Sequence, residues 1–180
     1  MTEERLPAGL ELQWTLALPP LTPAWPEDPR LQFDASYEPV VAGSTMVVAS
    51  SRNDTVTAYD TRTADLKWRF FTEGPVRFAP VISEGSVYCG ADDGCFYCLD
   101  LGDGTLRWKF DAAPSMRKVI GNDRLISVWP VRGGPVLSKG KIHFTVGVWP
   151  FEGVFLYALD AANGAPAGEV ASTRVHTLRD

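Results

Sequence analysis

The sequence predicts an all-β chain that forms part of a β-propeller. The segment from Gly85 to Trp108 holds three short runs of strand-forming residues separated by turn residues such as Asp93-Gly94. The pattern recurs, because Asp60 precedes Trp68 by the same eight positions that separate Asp100 from Trp108. A period of about 40 residues with four short strands per unit is typical of propeller blades. No stretch shows the sustained helical period and caps of an α/β chain.

Three copies of the unit can be located from their first strands. Pro39-Val40-Val41 matches Pro80-Val81-Ile82, and a third copy begins at Pro135-Val136-Leu137. We therefore predict four-stranded antiparallel blades over residues 39–71, 80–110 and 135–173. Each blade can bury its two sheet faces only against neighbouring blades. The nearly continuous apolar runs of the strands agree with burial on both faces.

The residues before the first blade predict one extra strand and a connector. Residues 10–18 alternate like a strand, and Trp14 resembles Trp68, so we interpret them as the last strand of a preceding blade. The connector at 19–38 contains five prolines, which are incompatible with regular structure. About three blades plus one strand are fewer than the four to eight of a closed ring. We expect an arc of a larger ring, a fragment completed by the remaining blades of the same or another chain, with apolar sheet faces exposed at its open ends.

The third unit departs from the first two at its middle turn and at its end. The turn is enlarged around residues 147–153, and Gly168 stands where a tryptophan is expected, eight residues after Asp160. A second long connector, residues 111–134, precedes this unit. Connectors between blades and turns between second and third strands share one face of a propeller. Both kinds of enlarged loop therefore fall on the same face.

Loop-borne residues on that face are candidates for a ligand or partner surface, because binding residues are concentrated on loops held by a rigid scaffold. The alternative is that the loops fold over the sheet ends and that their tryptophans are buried plugs. The candidates are Trp25, Arg117, Lys118, Asn122, Arg124, Trp129, Arg132 and Trp149.

A second set of residues has a structural role within the repeat. The aspartate at the end of each third strand can accept hydrogen bonds from turn N–H groups. The tryptophan supplies a large apolar plate between sheets, and its indole N–H needs an acceptor. This set comprises Trp14, Asp60, Trp68, Asp100, Gly104, Trp108, Asp160 and Gly164.

The repeat motif resembles that of a known family. The segments A-Y-D-T-R-T-A-D-L-K-W at 58–68 and C-L-D-L-G-D-G-T-L-R-W at 98–108 are similar to the tryptophan-docking repeat of pyrroloquinoline quinone (PQQ) dehydrogenases and their non-catalytic relatives. The connectors are similar to those of long, uncharacterised bacterial proteins with PQQ-like repeats. The resemblance implies a propeller and suggests a periplasmic or extracytoplasmic location, although the start M-T-E-E-R-L-P lacks the pattern of a signal peptide.

For function, we expect a non-catalytic binding or scaffold module for a protein or carbohydrate ligand, with no cofactor. The alternative is a fragment of a PQQ- and calcium-dependent alcohol or sugar dehydrogenase. For that enzyme the resemblance implies a Ca²⁺ held by Glu and Asn, a catalytic Asp, a stacking Trp and often adjacent cysteines. The sequence contains no Cys-Cys pair and no loop with dense metal-ligand spacing. We assign no catalytic residue and no metal ligand.

Charge and hydropathy narrow the possible partners. The formal net charge is −5 and the pI is about 5.1, so the sequence offers no basic surface for nucleic acid. It also lacks the apolar run of about 18 residues that a membrane-spanning helix requires.

The three cysteines and one histidine are interpreted as packing residues. Cys95 and Cys98 lie three apart on one strand and so point to opposite faces, which argues against a redox or zinc pair. A two-residue loop at Asp93-Gly94 would place Cys89 opposite Cys98, close enough for a disulfide in an oxidising compartment. His143 aligns with Tyr88, which predicts a strand residue packed between blades.

Overall fold

A computed structural model describes residues 9, 11–121, 123–168 and 171–173. Three four-stranded antiparallel sheets follow one another along the chain, with a two-stranded hairpin between the second and the third. This architecture confirms the all-β prediction. The strands are β1 Val40–Ala42, β2 Thr45–Ser50, β3 Thr55–Asp60, β4 Leu66–Phe71, β5 Val81–Ser83, β6 Ser86–Gly90, β7 Cys95–Asp100, β8 Leu106–Asp111, β9 Lys118–Gly121, β10 Arg124–Ser127, β11 Val136–Ser138, β12 Lys141–Val146, β13 Val154–Asp160 and β14 Ala171–Thr173.

Each four-stranded sheet is a meander in which every strand pairs with its chain neighbours. One apolar core lies between the first and second sheets and includes Val47, Val56 and Val87. A second core lies between the second and third sheets, where the rings of Phe96 and Phe144 stack with centroids 4.0 Å apart. Stacking of consecutive meanders on two separate cores builds an arc of blades. No sheet among the described residues closes on itself.

A tryptophan on the last strand of each of the first two sheets fastens that sheet to the next one. Trp68 Nε1 donates to the carbonyl of Leu101 at 2.9 Å, and a Cβ added to Gly104 would lie 2.6 Å from the Trp68 ring. Trp108 Nε1 donates to the carbonyl of Ala161 at 3.3 Å in the same way. We call this contact, an indole against the β3–β4-type turn of the next sheet, the tryptophan latch. Gly104 has φ +76°, so both its backbone and the adjacent ring favour glycine.

The aspartate of each repeat shapes the turn that receives the latch. Asp60 Oδ1 accepts from the backbone N–H of Arg62 at 2.8 Å, and Asp160 Oδ1 accepts from Ala162 at 3.0 Å. Asp100 accepts from Gly102 at 2.7 Å and also pairs with Arg107. These hydrogen bonds, with that of Arg107 the largest, lower the pKa of Asp100.

The first sheet receives a latch from Trp14, which lies in the described part, residues 11–18, of the segment predicted as the last strand of a preceding blade. Those residues form no β-ladder, because the described chain offers them no third strand of a preceding sheet as a partner. Trp14 Nε1 nevertheless donates to the carbonyl of Thr61 at 2.9 Å. Val48 and Tyr59, on the face turned away from the second sheet, are buried. Val41, Leu66 and Phe71 on the same face are 60%, 54% and 67% exposed, so apolar surface remains exposed at this end along β1 and β4.

Both long connectors contain more regular structure than the sequence indicated. Residues Pro29–Leu31 form one 3-10 turn, which Asp28 caps by accepting from the backbone N–H of Arg30 at 3.0 Å. The prolines did not prevent it, because a proline is tolerated in the first turn of a helix, where its missing N–H is not needed. In the connector at 111–134, β9 and β10 pair as a hairpin whose turn includes Asp123 with φ +58°. In the described residues, no helix has the length and apolar character needed to cross a membrane.

The predicted pairing of Cys89 with Cys98 is wrong by one residue. Cys98 lies opposite Tyr88, and Cys89 lies opposite Tyr97. The loop has three residues rather than two: Ala91 N–H donates to the Cys95 carbonyl at 3.1 Å, and Gly94 has φ +89°. A one-residue shift turns every side chain to the other face, so Cys89 belongs to the first core and Cys98 to the second. All three cysteines are free thiols.

His143 does have the register of Tyr88, but it is not packed between two described sheets. It lies opposite Val136 and Ala158, on the face of the third sheet that points away from the second. Its side chain is partly exposed. The prediction of burial fails because no described sheet covers this face.

Candidate functional site

The connectors and the turns between second and third strands meet on one side of the arc, which we call the connector face. The turn between β6 and β7 is its centre, because connectors from both sides hydrogen-bond to it. Asp92 N–H donates to the Pro75 carbonyl at 2.8 Å, and the Asp92 carbonyl accepts from Ser127 N–H at 2.8 Å. The carbonyl of the preceding Ala91 accepts from Val131 N–H at 3.0 Å. Backbone bonds thus fix the positions of the side chains on both connectors.

The Asp92 carboxylate joins two buried arginines. Arg132 binds it with Nε and Nη2 at 2.6 and 2.7 Å, and Arg77 Nε binds it at 2.7 Å. Arg77 Nη1 also binds Asp34 at 2.6 Å. All four side chains are at most 6% exposed. We call these residues the Arg–Asp quartet. Removal of one partner would leave an uncompensated buried charge.

Asp34 extends the quartet into the first connector. Its carboxylate accepts from the backbone N–H of Ala24 at 3.0 Å, while Arg77 Nη1 donates to the carbonyl of Thr22 at 2.8 Å. The quartet therefore ties residues 22–34 to the second sheet and, through Arg132, to the start of the third. These contacts fix the path of a connector that has little regular structure of its own.

The sequence alone pointed to only one of the four residues of the quartet, Arg132. It missed Arg77 and Asp34. A signal was present, because Pro75-Val76-Arg77 and Pro130-Val131-Arg132 precede the first strands of the second and third sheets at the same spacing. The repeated arginine marks two equivalent positions that converge on one carboxylate.

Arg132 also lies under aromatic rings. Its Cζ is 5.1 Å from the ring centre of Trp25 and 6.0 Å from that of Phe33. Phe33 in turn stacks on Phe78 with centroids 5.1 Å apart. The third nitrogen of the guanidinium, Nη1, is buried and has no hydrogen-bond partner among the described residues. Arg132 thus presents one unused donor beneath an aromatic layer.

Three predicted site residues meet in a single cleft of about 100 Å³. Trp25 from the first connector, Arg132 from the second and Trp149 from the enlarged loop line it, together with Ile120, Ile126 and Pro130. Trp25 is half-buried and Trp149 is exposed, so neither is a core plug. We call this space the Trp25–Trp149 cleft.

Trp129 does not lie on the surface, and its assignment to a ligand surface is corrected. Its side chain is 7% exposed and belongs to the second core. The indole Nε1 donates to the carbonyl of Glu152 at 2.9 Å, which anchors the enlarged loop. Arg117 lies over the ring, with Cζ 5.1 Å from its centre, and pairs with the Glu152 carboxylate. For this residue the alternative interpretation, a buried plug, is the correct one.

The remaining predicted residues lie apart from the cleft. Arg124 pairs with Asp54 in the turn between β2 and β3. Burial raises the pKa of Asp54 against the opposing effect of Arg124, and its Oδ1 has no hydrogen-bond partner among the described residues. Lys118, at the start of β9, lines a separate groove with Lys109 and Asp111. Asn122 lies outside the described residues.

Side chains of the types that most often bind metal ions are dispersed among the described residues. No group of three His, Cys, Asp or Glu side chains within them is arranged to hold a metal ion. Two carboxylates of the connector face, those of Asp34 and Asp92, already bind Arg77 and Arg132. The carboxylate of Asp93, in the same turn as Asp92, accepts from the Tyr97 hydroxyl.

Comparison with known proteins gives one family. The family model described as outer membrane protein assembly factor BamB (PQQ_2) matches residues 11–177. No curated protein sequence matches the chain.

Solved structures with a similar fold include both dehydrogenases and BamB. A quinohemoprotein alcohol dehydrogenase from Comamonas testosteroni is 26% identical with TM-score 0.59, over 71% of this chain and 19% of its own. A europium-containing methanol dehydrogenase is 20% identical with TM-score 0.61, over 77% of this chain and 26% of its own. BamB from Moraxella catarrhalis is 21% identical with TM-score 0.51, over 74% of this chain and 34% of its own. The chain thus spans 19–34% of the length of these proteins.

Proposed function

Because the chain belongs to the PQQ_2 family of BamB-like propellers, we propose that it is a non-catalytic propeller module that binds a protein partner through its connector face. The arc of sheets is the scaffold, and the loops that it positions are the binding surface. We expect no cofactor. An extracytoplasmic location agrees with the family resemblance, and fractionation of cells that produce the full-length protein would test it.

One observation carries the proposal: apolar side chains are exposed together around the Trp25–Trp149 cleft. Ile120 and Leu125 are direct partners on the β9–β10 hairpin and are 83% and 61% exposed. Trp149 and Phe151 on the enlarged loop stack with centroids 6.1 Å apart and are 42% and 65% exposed. Ile120 and Trp149 both line the cleft, which joins the two pairs into one patch. Contiguous exposed apolar surface of this kind marks protein interaction sites.

Site-specific photocrosslinking in cells tests the proposal. A photoreactive phenylalanine analogue at position 120 or 151 of the full-length protein should crosslink to a discrete protein. Arg62 and Asn163 are matched controls, because they are exposed in β3–β4-type turns on the opposite face. Labelling at these two positions should give no such product. Absence of a product at both patch positions, or equal products on both faces, would contradict the proposal.

The dehydrogenase alternative rests on the 26% identity with a quinohemoprotein alcohol dehydrogenase. Reconstitution of the full-length protein with PQQ and Ca²⁺, followed by dye reduction with alcohols and sugars, tests it. Turnover that depends on PQQ would show that the protein is an enzyme and would contradict the proposed binding module. Lack of turnover together with crosslinking at position 120 or 151 would support the binding module.

A further inference from the structure

We propose that the Trp25–Trp149 cleft receives one uncharged, branched aliphatic side chain from an extended segment of the partner protein, together with the adjacent peptide carbonyl. This inference rests on the proposed function, because it names the chemistry of the partner at that surface. It is carried by the size of the cleft, the charge of its floor and one unused hydrogen-bond donor.

The size of the cleft limits the occupant. A volume of about 100 Å³ is smaller than the cavity of about 150 Å³ that holds a benzene molecule. A leucine or valine side chain therefore fits, whereas an indole is too large. The walls from Trp25, Ile120, Ile126 and Trp149 are apolar. Rigid aromatic walls give contact area at a low cost in side-chain entropy.

The charge of the floor argues against an ionic occupant. Arg132 lines the cleft, and Asp92 already binds its guanidinium through two nitrogens. The quartet holds two arginines and two aspartates, so its formal charge is zero. A carboxylate or an ammonium group would lose its hydration here without gaining an unpaired counter-charge. An uncharged group avoids that cost.

The unused donor favours a carbonyl beside the side chain. Arg132 Nη1 has no acceptor among the described residues, although the great majority of buried donors in proteins have one. The Trp25 ring lies over this guanidinium, so a small shift of Trp25 on binding would give a peptide oxygen access to Nη1. The other nitrogens of Arg132 are fixed by Asp92, so the donor is already oriented before a partner arrives.

NMR of the full-length protein tests the inference through its tryptophan indole N–H signals, assigned by Trp→Phe variants. The probes are N-acetyl-L-leucinamide, N-acetyl-L-leucine and N-acetyl-L-lysinamide. The leucinamide should shift the signals of Trp25 and Trp149 in a saturable manner and leave those of Trp68 and Trp108 unchanged. The two charged probes should bind at least about tenfold more weakly, equivalent to about 1.4 kcal/mol.

Two variants assign the effect to the cleft. Trp149→Ala removes an exposed wall and should weaken leucinamide binding about tenfold or more, whereas Leu106→Ala, exposed on β8, should leave it unchanged. Arg132→Lys keeps a positive charge but removes Nη1. It should weaken binding of the leucinamide while the Trp68 and Trp108 signals, which report folding, stay in place.

The inference is overturned if the leucinamide causes no shift, if either charged probe binds more tightly, or if Trp149→Ala binds the leucinamide as well as the parent protein. These results are distinct from failure of the proposed function. Crosslinking at positions 120 and 151 without probe binding would retain the protein-binding face and reject the cleft as its aliphatic pocket.

Discussion

The second and third sheets have the same strand order but different surroundings. The second sheet lies between two neighbours, and the side chains of β7 from Cys95 to Leu99 are buried on both faces. The third sheet has a neighbour on one face, where Ile142, Phe144 and Leu159 are buried. On its other face His143 is partly exposed and Leu156 is 46% exposed. Equivalent positions in a repeat thus have different energetic roles according to which neighbour is present.

The proposed binding surface on the connector face draws on both sheets. The second sheet supplies the Asp92 turn that holds the connectors, and the third supplies the enlarged loop that carries Trp149. Rigid anchoring is therefore provided by the sheet that is covered on both faces. The exposed residues of the proposed binding surface extend from the elements around it.

The largest effect is expected where the second sheet is latched to the third. Trp108→Ala removes a partly buried aromatic that packs against the second core, together with its hydrogen bond to Ala161. It should lower the free energy of unfolding by about 3 kcal/mol or more, the lower end of the range for core aromatics. Trp149→Ala, on the exposed loop, should cost less than about 1 kcal/mol. Denaturant titration of both variants measures the difference. Equal losses of stability in the two variants would show that the Trp108 latch does not hold the third sheet against the second.

The next effect concerns the turn that receives a latch. Gly104→Ala combines an unfavourable φ with a Cβ 2.6 Å from the Trp68 ring, and should cost about 2–4 kcal/mol. Gly140→Ala is the matched control, because Gly140 has φ +72° and no atom within 4 Å of an added Cβ. Its cost should be about 1–2 kcal/mol, the backbone contribution alone. If thermal unfolding gave both variants the same loss of stability, contact between residue 104 and the Trp68 ring would make no contribution of its own.

A smaller difference in stability is expected between substitutions on the covered face of the second sheet and on the open face of the third. Tyr88 donates its hydroxyl to the carbonyl of Ala161 at 3.0 Å, so Tyr88→Phe should cost about 1 kcal/mol. His143→Phe at the equivalent position should change stability by less than about 0.5 kcal/mol. Chemical unfolding of the two variants compares them directly. A loss above 1 kcal/mol for His143→Phe would mean that the open face is covered in the folded protein.

The smallest effect is on reactivity rather than stability. Burial raises the pKa of Cys95 to about 12 and raises the pKa values of Cys89 and Cys98, so the folded chain holds these thiols protonated at pH 8. Iodoacetamide should label them slowly until the protein unfolds, as followed by mass spectrometry. Fast labelling of Cys98 alone would indicate that the interface between the second and third sheets opens.

Local sequence patterns predicted the sheets well, because the strands and turns of each repeat are determined by residues within that repeat. The Asp60 and Asp100 turns and the latch positions follow from residues close in sequence. The register of Cys89 could not be predicted, since it depends on whether a loop has two or three residues. The quartet was missed for another reason: Asp34, Arg77, Asp92 and Arg132 come together only after the sheets have stacked. Trp129 was misplaced because the path of a connector is set by distant partners.

The tryptophan latch has a direction, because each sheet gives an indole on one side and receives one on the other. A directional contact between like units is heterologous, and repetition of such a contact produces either a closed ring or an open filament. Within the described residues all three acceptor carbonyls, those of Thr61, Leu101 and Ala161, are occupied by indoles of the same chain. Gly168 stands where the third sheet would offer the next indole. Within the described residues, therefore, the three acceptors of this contact bind indoles of their own chain, and a second copy would find no further one among them.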